Sequence, residues 1–286
     1  MRAEWRIAGD RVLEPNTYVV GVLNVTPNSF YDGGNYFARE AALVRAREIL
    51  TQGADILDVG GESTRPFSER VGKNEELERV LPVIREVRSE FPDRPVSVDT
   101  YKADTARQAL DAGASIVNDV TACDLDPGLT EVLVQYQPGY VLMHSQGRPE
   151  DMQKDPRYSD PVTEISAFFE RELNRLTRAG LAQECISLDP GIGFGKRLED
   201  NLAILRHIES FFCFGRPIFI GQSNKSLWQK LLGLGPDQRQ NATQVATALL
   251  AEKGVSVHRV HEVDLTLQTL TIVRELTRPH KDEAHV

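Results

Sequence analysis

The sequence lacks the features that mark secreted, membrane and nucleic-acid-binding proteins. Its three cysteines are widely spaced and follow no metal-ligand pattern, which argues for free thiols rather than a disulfide framework. No window approaches the roughly 18 apolar residues of a membrane span, and the N-terminus has no apolar run of signal-peptide length. The net charge of −9 disfavours a surface for nucleic acid or anionic lipid. We therefore expect a cytoplasmic protein with neither of those partners.

Several common kinds of catalytic site are also missing from the sequence pattern. There is no Walker-type phosphate loop, and His144, His207 and His261 do not follow a zinc-ligand spacing. Nor is there a Ser-His-Asp or Cys-His signature of a covalent nucleophile. Any anionic ligand must be held by individual positive side chains, because the chain as a whole is acidic.

What the sequence does contain is a regular alternation of apolar runs with helix-like segments. The predicted strands are residues 18–25, 56–59, 96–98, 115–117, 140–143, 185–188, 217–220 and 256–260. The predicted helices are residues 37–52, 74–89, 103–112, 128–135, 161–179, 198–211, 241–252 and 263–276. A short β-hairpin within residues 1–16 precedes them. This pattern predicts an α/β fold, a (β/α)8 TIM barrel in a single domain spanning residues 1–286, with an open doubly wound sheet as the alternative.

One stretch combines a buried strand, a carboxylate and three glycines. Residues 188–196 read LDPGIGFGK, so that Asp189 ends the strand and glycines follow it closely. Glycine lets a main chain approach a ligand that a Cβ would obstruct. A carboxylate matches two parallel N–H donors on a flat heterocycle such as guanine or pterin. The alternative is that Asp189 only caps the next helix or turn.

The other strands favour the ligand-binding interpretation, because each predicted strand also ends in polar residues. In a barrel these ends meet at one mouth, where the active site forms. Four of these residues offer hydrogen-bond acceptors, an amide and a cation that suit the edge of a polar ring. They are Asp99, Asn118, Asp189 and Lys225. A set that suits a phosphate or diphosphate comprises Arg65, Arg259 and His261, with Asn24 offering an oxygen to a hard cation.

These residues belong to motifs that resemble dihydropteroate synthase over almost the whole chain. The motifs, in order, are GVLNVTPNSFYDGG (21–34), DVGGESTRP (58–66), SVDT (97–100), IVNDV (116–120), LMHSQG (142–147), LDPGIGFGK (188–196), SNKS (223–226) and RVHEV (259–263). The resemblance implies a pterin-binding barrel that joins 6-hydroxymethyl-7,8-dihydropterin diphosphate to 4-aminobenzoate with Mg²⁺, giving 7,8-dihydropteroate and diphosphate in folate biosynthesis. It also implies a homodimer and a sulfonamide target.

Carried over to this sequence, the family's motifs imply a role for each matching position. The pterin diphosphate would contact Thr64, Asp99, Asn118, Met143, Asp189, Lys225, Arg259 and His261. The aminobenzoate would contact Phe30, Arg65, Pro66, Phe194, Lys225 and Ser226, and Asn24 would bind Mg²⁺. The catalytic residues would be Asp99, Asp189, Lys225, Arg259 and His261, with the two carboxylates stabilising positive charge on the pterin methylene.

Two positions depart from the family's pattern. Asn28 replaces an acid of TPDSF, and Asn224 replaces an arginine of SRKS. Losing a carboxylate from one loop and a guanidinium from another would weaken loop closure or the diphosphate contacts. If the two groups face each other, the two losses partly compensate. Two other functions would use a similar pterin pocket, that of a catalytically silent pterin-binding paralogue and that of a pterin-binding methyltransferase domain that serves a corrinoid partner. The STRP loop and the SNKS end favour the synthase over the methyltransferase.

Overall fold

The computed structural model describes residues 3–9, 11–26, 35–62, 70–147, 152 and 154–277, and only the backbone of residues 35–38. The chain begins with a small antiparallel hairpin, formed by β1 (Trp5–Ile7) and β2 (Arg11–Leu13). This confirms the hairpin that the sequence predicts.

Eight parallel strands follow in the described part of the chain. They are β3 (Tyr18–Asn24), β4 (Ile56–Gly60), β5 (Val96–Asp99), β6 (Ile116–Asp119), β7 (Gly139–Met143), β8 (Ile186–Asp189), β9 (Phe219–Ile220) and β10 (Val257–Val260). Each strand from β3 to β8 pairs with the next, and β10 lies between β3 and β9. A parallel bridge from Leu188 to Ile218 links β8 to β9 and closes the ring. The barrel prediction is therefore confirmed, and the open sheet is wrong.

Helices cover the outside of the barrel. They are α1 (Asn35–Thr51), α2 (Lys73–Glu90), α3 (Ala103–Asp111), α4 (Leu129–Tyr136), α5 (Pro161–Ala179), α6 (Leu198–Arg206), α7 (Ser226–Leu232), α8 (Gln240–Glu252) and α9 (Val263–Thr277). Within the described ranges, none of them has the length and apolar character that crossing a membrane demands.

Two helix predictions need correction. The helix predicted over 198–211 ends at Arg206, and a 3₁₀ segment (Ile208–Phe214) continues to Gly215 in the left-handed conformation. The short helix α7 was not predicted. It is held by tertiary contacts, since Leu227 and Trp228 are buried and the Trp228 indole N–H donates to the Gln222 carbonyl at 3.0 Å. Such short helices depend on packing more than on their own propensity.

The strands send alternate side chains to opposite faces, as extended strands must. On β4, Leu57 and Val59 pack outward among the helices in the main core. Ile56 instead belongs to a second apolar cluster at the amino-terminal end of the barrel. Asp58, two residues further along, faces the same side of the strand as Ile56. Strand β4 thus places an apolar group near the amino-terminal end of the barrel and a carboxylate near the carboxyl end.

The hairpin forms the floor of the barrel. Trp5 and Ile7, both buried, pack in one cluster with Ile116 and Val141 of the barrel strands. The Trp5 indole N–H donates to the Cys185 carbonyl at 2.7 Å, so its polar end is also satisfied. The amino-terminal end of the barrel is therefore closed by apolar packing, and a ligand must enter from the opposite end.

Candidate active site at the mouth of the barrel

An arginine from the last strand joins two carboxylates across the barrel mouth. Arg259 Nε lies 2.7 Å from Asp58 Oδ2, and Arg259 Nη2 lies 2.7 Å from Asp99 Oδ2. These residues come from β10, β4 and β5, so the barrel brings together positions up to 201 residues apart in sequence. A guanidinium has five N–H groups, more than these two bonds use, and can also donate to a ligand.

Asn118 extends the same network from β6. Its amide nitrogen donates to Asp58 Oδ2 at 3.2 Å, and the side chain is buried. Among the described residues, Asp58 Oδ1 has no hydrogen-bond partner. Asp58 therefore fixes two predicted ligand-binding residues, Arg259 and Asn118, and keeps one buried acceptor atom unused.

Asp189 ends β8 at the same mouth. Its Oδ1 accepts from the Gly191 amide at 2.7 Å, which orients the carboxylate within its own loop. Gly191 needs to be glycine, because its φ is +69° and an added Cβ would lie 2.0 Å from the His144 carbonyl oxygen. The glycine-rich stretch thus packs directly on the loop that follows β7.

Burial sets the electrostatics of the two carboxylates. Removal from water raises the pKa of Asp99 to about 7, although the Arg259 guanidinium acts in the opposite direction. Burial also raises the pKa of Asp189 to about 6, opposed by the Gly191 hydrogen bond and by the charge of Lys225. Both side chains therefore ionise less readily than an exposed aspartate, and N–H donors from a ligand would stabilise their charged forms.

Lys225, Phe194 and Met143 form the other wall of the mouth. Lys225 Nζ lies 4.1 Å from the centroid of the Phe194 ring, a cation–π contact. Phe194 packs in a small apolar cluster with Met143, and both side chains are buried. A flat ring held by the carboxylates would therefore meet one apolar surface and one cation.

The remaining described candidates lie around the rim. Ser223 holds His261, since its Oγ is 3.0 Å from His261 Nδ1 and accepts from the His261 amide at 3.3 Å. Asn24 is the half-buried last residue of β3, and Ser226 is exposed at the start of α7. Four predicted contacts, Phe30, Thr64, Arg65 and Pro66, lie outside the described residues, as does Asn28.

Comparison with known proteins agrees with this geometry. The sequence profile of the pterin binding enzyme family matches residues 20–261. The dihydropteroate synthase of Escherichia coli (strain K12) is 38% identical over 256 residues, which is 90% of each chain. The chain belongs to the dihydropteroate synthase family.

Solved structures of the dihydropteroate synthase family share the whole barrel. The Xanthomonas albilineans enzyme with 4-aminobenzoic acid is 36% identical with a TM-score of 0.90, covering 98% of this chain and all (100%) of that one. The Yersinia pestis enzyme with a sulfonamide drug is 38% identical with a TM-score of 0.88, covering 94% and 98%. The family resemblance in the sequence is thus confirmed along its length.

Two aspartates of these motifs, Asp58 and Asp119, make different kinds of contact. An aspartate near the end of a strand is commonly a helix or loop cap. Asp119 is indeed a loop cap, because its carboxylate accepts from the Thr121 and Cys123 amides at 2.7 and 2.6 Å. Asp58 instead binds Arg259. It stands two residues after Ile56, and the alternation of side chains along a strand therefore indicates that Asp58 points into the barrel.

The Asn224 departure from the family pattern has a clear local structure. Asn224 has φ of +55°, a left-handed conformation that asparagine tolerates better than arginine does. Its side-chain oxygen accepts from Gln240 Nε2 at 2.9 Å, and its carbonyl accepts from Arg239 at 3.0 Å. The side chain is therefore engaged with the start of α8.

Proposed function

We propose that the barrel mouth joins 6-hydroxymethyl-7,8-dihydropterin diphosphate to 4-aminobenzoate, releasing diphosphate and forming 7,8-dihydropteroate for folate biosynthesis. This is a transferase reaction and the one for which the chain's relatives are named. The observation that carries it is the convergence of Asp99, Asn118, Asp189 and Arg259 at the carboxyl ends of four strands. The relatives also weigh against the alternative of a methyltransferase domain.

The carboxylates would bind the pterin ring. Asp189 and Asp99 are buried acceptors and Asn118 supplies an amide, which suits the N–H donors and ring nitrogens of a pterin. Met143 and Lys225 would contact the faces of the ring. Support comes from the raised pKa values of Asp99 and Asp189, because hydrogen bonds from a ligand would compensate carboxylates that burial has stripped of water.

Arg259, His261 and Thr64 would bind the diphosphate. Arg259 is already held in place by Asp58 and Asp99, so its charge needs little reorganisation when the substrate arrives. Ser223 fixes the His261 ring in the same way. Positive charge in these fixed positions would stabilise the negative charge that develops on the leaving group.

Asn24 would hold Mg²⁺. In the described ranges no group of three or more His, Cys, Asp or Glu could hold a metal ion. Mg²⁺ commonly takes only one or two protein ligands and completes its shell with water and substrate phosphates, so a single amide oxygen at the end of β3 fits this role. When bound, the ion would neutralise part of the diphosphate charge.

The reaction then needs no side-chain nucleophile. The bond between the pterin methylene carbon and the diphosphate oxygen breaks, and its electron pair leaves with the diphosphate. Asp99 and Asp189 would stabilise the positive charge that develops on the pterin. The amine nitrogen of 4-aminobenzoate forms the new C–N bond and then loses a proton to solvent water. Catalysis therefore comes mainly from positioning and electrostatics.

The second substrate would lie against Phe194, Lys225 and Ser226, together with Phe30, Arg65 and Pro66. The Phe194 ring and Lys225 Nζ are already in contact, which supports an aromatic carboxylate site with an apolar and a cationic side. We expect sulfonamides, which carry a similar arylamine, to compete with 4-aminobenzoate here.

We also propose that the protein is a homodimer through α8 and α9. These helices carry large apolar side chains that are about half exposed or more, Val245 and Leu249 on α8 and Ile272 and Leu276 on α9. Apolar patches of this kind mark association surfaces. Sedimentation should give twice the 32.0 kDa chain mass, and Leu249→Lys should give the monomer. A monomeric wild type at micromolar concentration would contradict this interface.

The whole chain, residues 1–286, is proposed to act as one domain, because its hairpin forms the floor of the barrel. We place it in the cytoplasm, since Cys123, Cys185 and Cys213 are free thiols, which a reducing compartment maintains.

The experiment that tests the function is diphosphate release by the purified protein given the dihydropterin diphosphate, 4-aminobenzoate and Mg²⁺. We expect release that requires the amine and that falls sharply in Lys225→Ala. Tight binding of the pterin diphosphate without release would instead identify a catalytically silent paralogue.

A further inference from the structure

A buried lysine lies next to Phe194, on the side of the mouth where 4-aminobenzoate is proposed to bind. It has no part in the proposed reaction. Lys196, the last residue of the glycine-rich stretch, is only 1% exposed. Lysine is almost never buried so completely, because its ammonium group loses hydration. Burial lowers the pKa of Lys196 to about 7, and the nearby Asp189 carboxylate acts in the opposite direction. Retaining such a residue calls for a specific set of contacts.

Three acceptors surround the Lys196 ammonium group. Its Nζ donates to the Phe194 carbonyl at 2.9 Å and to the His144 carbonyl at 3.2 Å, and lies 3.1 Å from His144 Nδ1. Burial and the charge of Lys196 lower the pKa of His144 to about 2, so its ring is neutral and Nδ1 can accept. An ammonium has three N–H donors, and each has an acceptor here.

These contacts join two loops that meet at the mouth. His144 belongs to the loop after β7, and Phe194 belongs to the loop after β8. The two main chains approach so closely that a Cβ on Gly195 would lie 2.1 Å from the Gln146 carbonyl oxygen. Tyr158 adds a hydrogen bond from its hydroxyl to the Gly195 carbonyl at 3.0 Å.

Where the loops after β7 and β8 meet, Phe194 is the residue that lies in the proposed aminobenzoate site. Its carbonyl is bound by Lys196, and its ring contacts Lys225 and packs with Met143. The pterin-binding carboxylates, in contrast, lie on strands and have their own supports, Gly191 for Asp189 and Arg259 for Asp99. The charges of Lys196 and Asp189 also interact, but the hydrogen bonds of Lys196 go to the loops beside Phe194, so we expect its loss to affect the aminobenzoate side more than the pterin side.

We propose that Lys196 is a positioning residue that holds Phe194 against Lys225 and so sets the affinity for 4-aminobenzoate. It does this by bonding to the main chains of both loops and without touching either substrate. The inference rests on the proposed function, because it assigns a role within that same site.

The test is Lys196→Met, which keeps an unbranched apolar stem and removes all three donors. We expect the KM for 4-aminobenzoate to rise about ten- to a hundredfold, the range for loss of a hydrogen bond to a charged group. The Kd for the dihydropterin diphosphate, measured by calorimetry, should rise by a smaller factor, under about tenfold or about 1.4 kcal/mol, because only the charge of Lys196 acts on Asp189. Equal losses for both substrates, or no change in either, would overturn the proposal.

A double-variant cycle shows whether the lysine acts through Phe194. Phe194→Leu alone should raise the KM for 4-aminobenzoate, and adding Lys196→Met to it should raise the KM little further, because coupled residues are not additive. Two effects that multiply would overturn the proposal. Should Lys196→Met fail to fold, Tyr158→Phe weakens the same junction more gently and should raise the same KM a few-fold with pterin binding unchanged. An unchanged KM in that variant would also count against the inference.

Lys253 provides a matched control. It too donates to a main-chain carbonyl, that of Arg206 at 3.0 Å, but it lies in the turn that precedes β10 at the opposite end of the barrel. Lys253→Met should leave both substrate constants unchanged. An inactive wild type would refute the proposed function, whereas an active wild type whose Lys196→Met variant behaves like Lys253→Met would refute this inference alone.

Discussion

The two ends of the barrel are built from the same strands, yet they hold opposite kinds of side chain. At the amino-terminal end, Trp5 and Ile7 of the hairpin meet Ile56 and Ile116 in an apolar cluster. At the carboxyl end, two residues further along the same β4 strand, Asp58 is fully buried and binds an arginine. One end gains stability from burial, and the other holds buried charge that only partners and ligands can satisfy.

Stability and function are therefore expected to depend on different positions of a single strand. A substitution at the floor should change unfolding with little effect on chemistry, and one at the mouth should do the reverse.

The largest effect is expected for Asp189→Asn. An amide cannot accept from two N–H donors as a carboxylate does, so kcat/KM for the pterin diphosphate should fall about a thousandfold, or about 4 kcal/mol. Steady-state kinetics measures this change. The matched control is Asp119→Asn, which is equally buried but caps a loop. It should lower the melting temperature and leave the pterin Kd nearly unchanged. Similar kinetic losses in both variants would contradict the assignment of Asp189, rather than Asp119, to the pterin site.

Trp5→Ala tests the floor. Removing this buried indole should destabilise the protein by about 3 kcal/mol, the lower end for a large aromatic residue in a core. Denaturant unfolding measures the loss. At temperatures well below the melting point, kcat and both KM values should stay within about twofold of the wild type, since loss of the floor does not move the strand ends. A large change in either KM would show that the two ends are coupled.

The pH dependence should run in opposite directions for stability and for binding. Asp189 has a pKa raised by burial to about 6, so the folded protein holds this proton more tightly than the unfolded chain does. The carboxyl therefore favours folding increasingly as pH falls through 6, by at most about 1.4 kcal/mol per pH unit. Relative to Asp189→Asn, the wild type should gain stability between pH 8 and pH 5.

Binding should weaken over the same range, because the protonated carboxyl no longer accepts both ring donors. Asp99, whose pKa burial raises to about 7, acts in the same sense. We expect kcat/KM for the pterin diphosphate to fall below pH 7. Parallel rather than opposite trends in chemical denaturation and in kinetics would contradict the assignment of Asp189 to the site.

The smallest effect concerns the two asparagines that depart from the family pattern. Asn28→Asp together with Asn224→Arg should raise turnover about two- to threefold if these groups face each other as a pair, because a paired charge at a surface contributes under about 1 kcal/mol. Each single variant should give less. The left-handed backbone at residue 224 opposes the arginine, so a double variant with no gain would show that the native asparagines are tolerated.

Much of the fold and part of the site could be predicted from the sequence. Asp99, Asn118, Asp189 and Arg259 were predicted from their places at strand ends, and the structure brings them to one mouth because parallel strands end together. Asp58 was harder, since a single aspartate near a strand end is more often a cap than a ligand. What distinguishes Asp58 from Asp119 is the side of the strand on which it lies, because Asp58 points into the barrel.

Tertiary contacts explain the other misses. The role of Lys196 depends on two loops meeting across the mouth, and the sequence places His144 and Phe194 50 residues apart. The helix α7 is too short for its own periodicity to identify it, and buried Trp228 decides its formation. In both cases the missing information was a contact between segments, which a single sequence does not contain.

The most direct test of the central claim is a crystal structure of the protein with 7,8-dihydropteroate bound. We expect the pterin ring edge to lie within hydrogen-bond distance of Asp99, Asn118 and Asp189, with the aminobenzoate portion beside Phe194 and Lys225. A ligand that binds elsewhere, or a pterin ring that contacts none of these three residues, would contradict it.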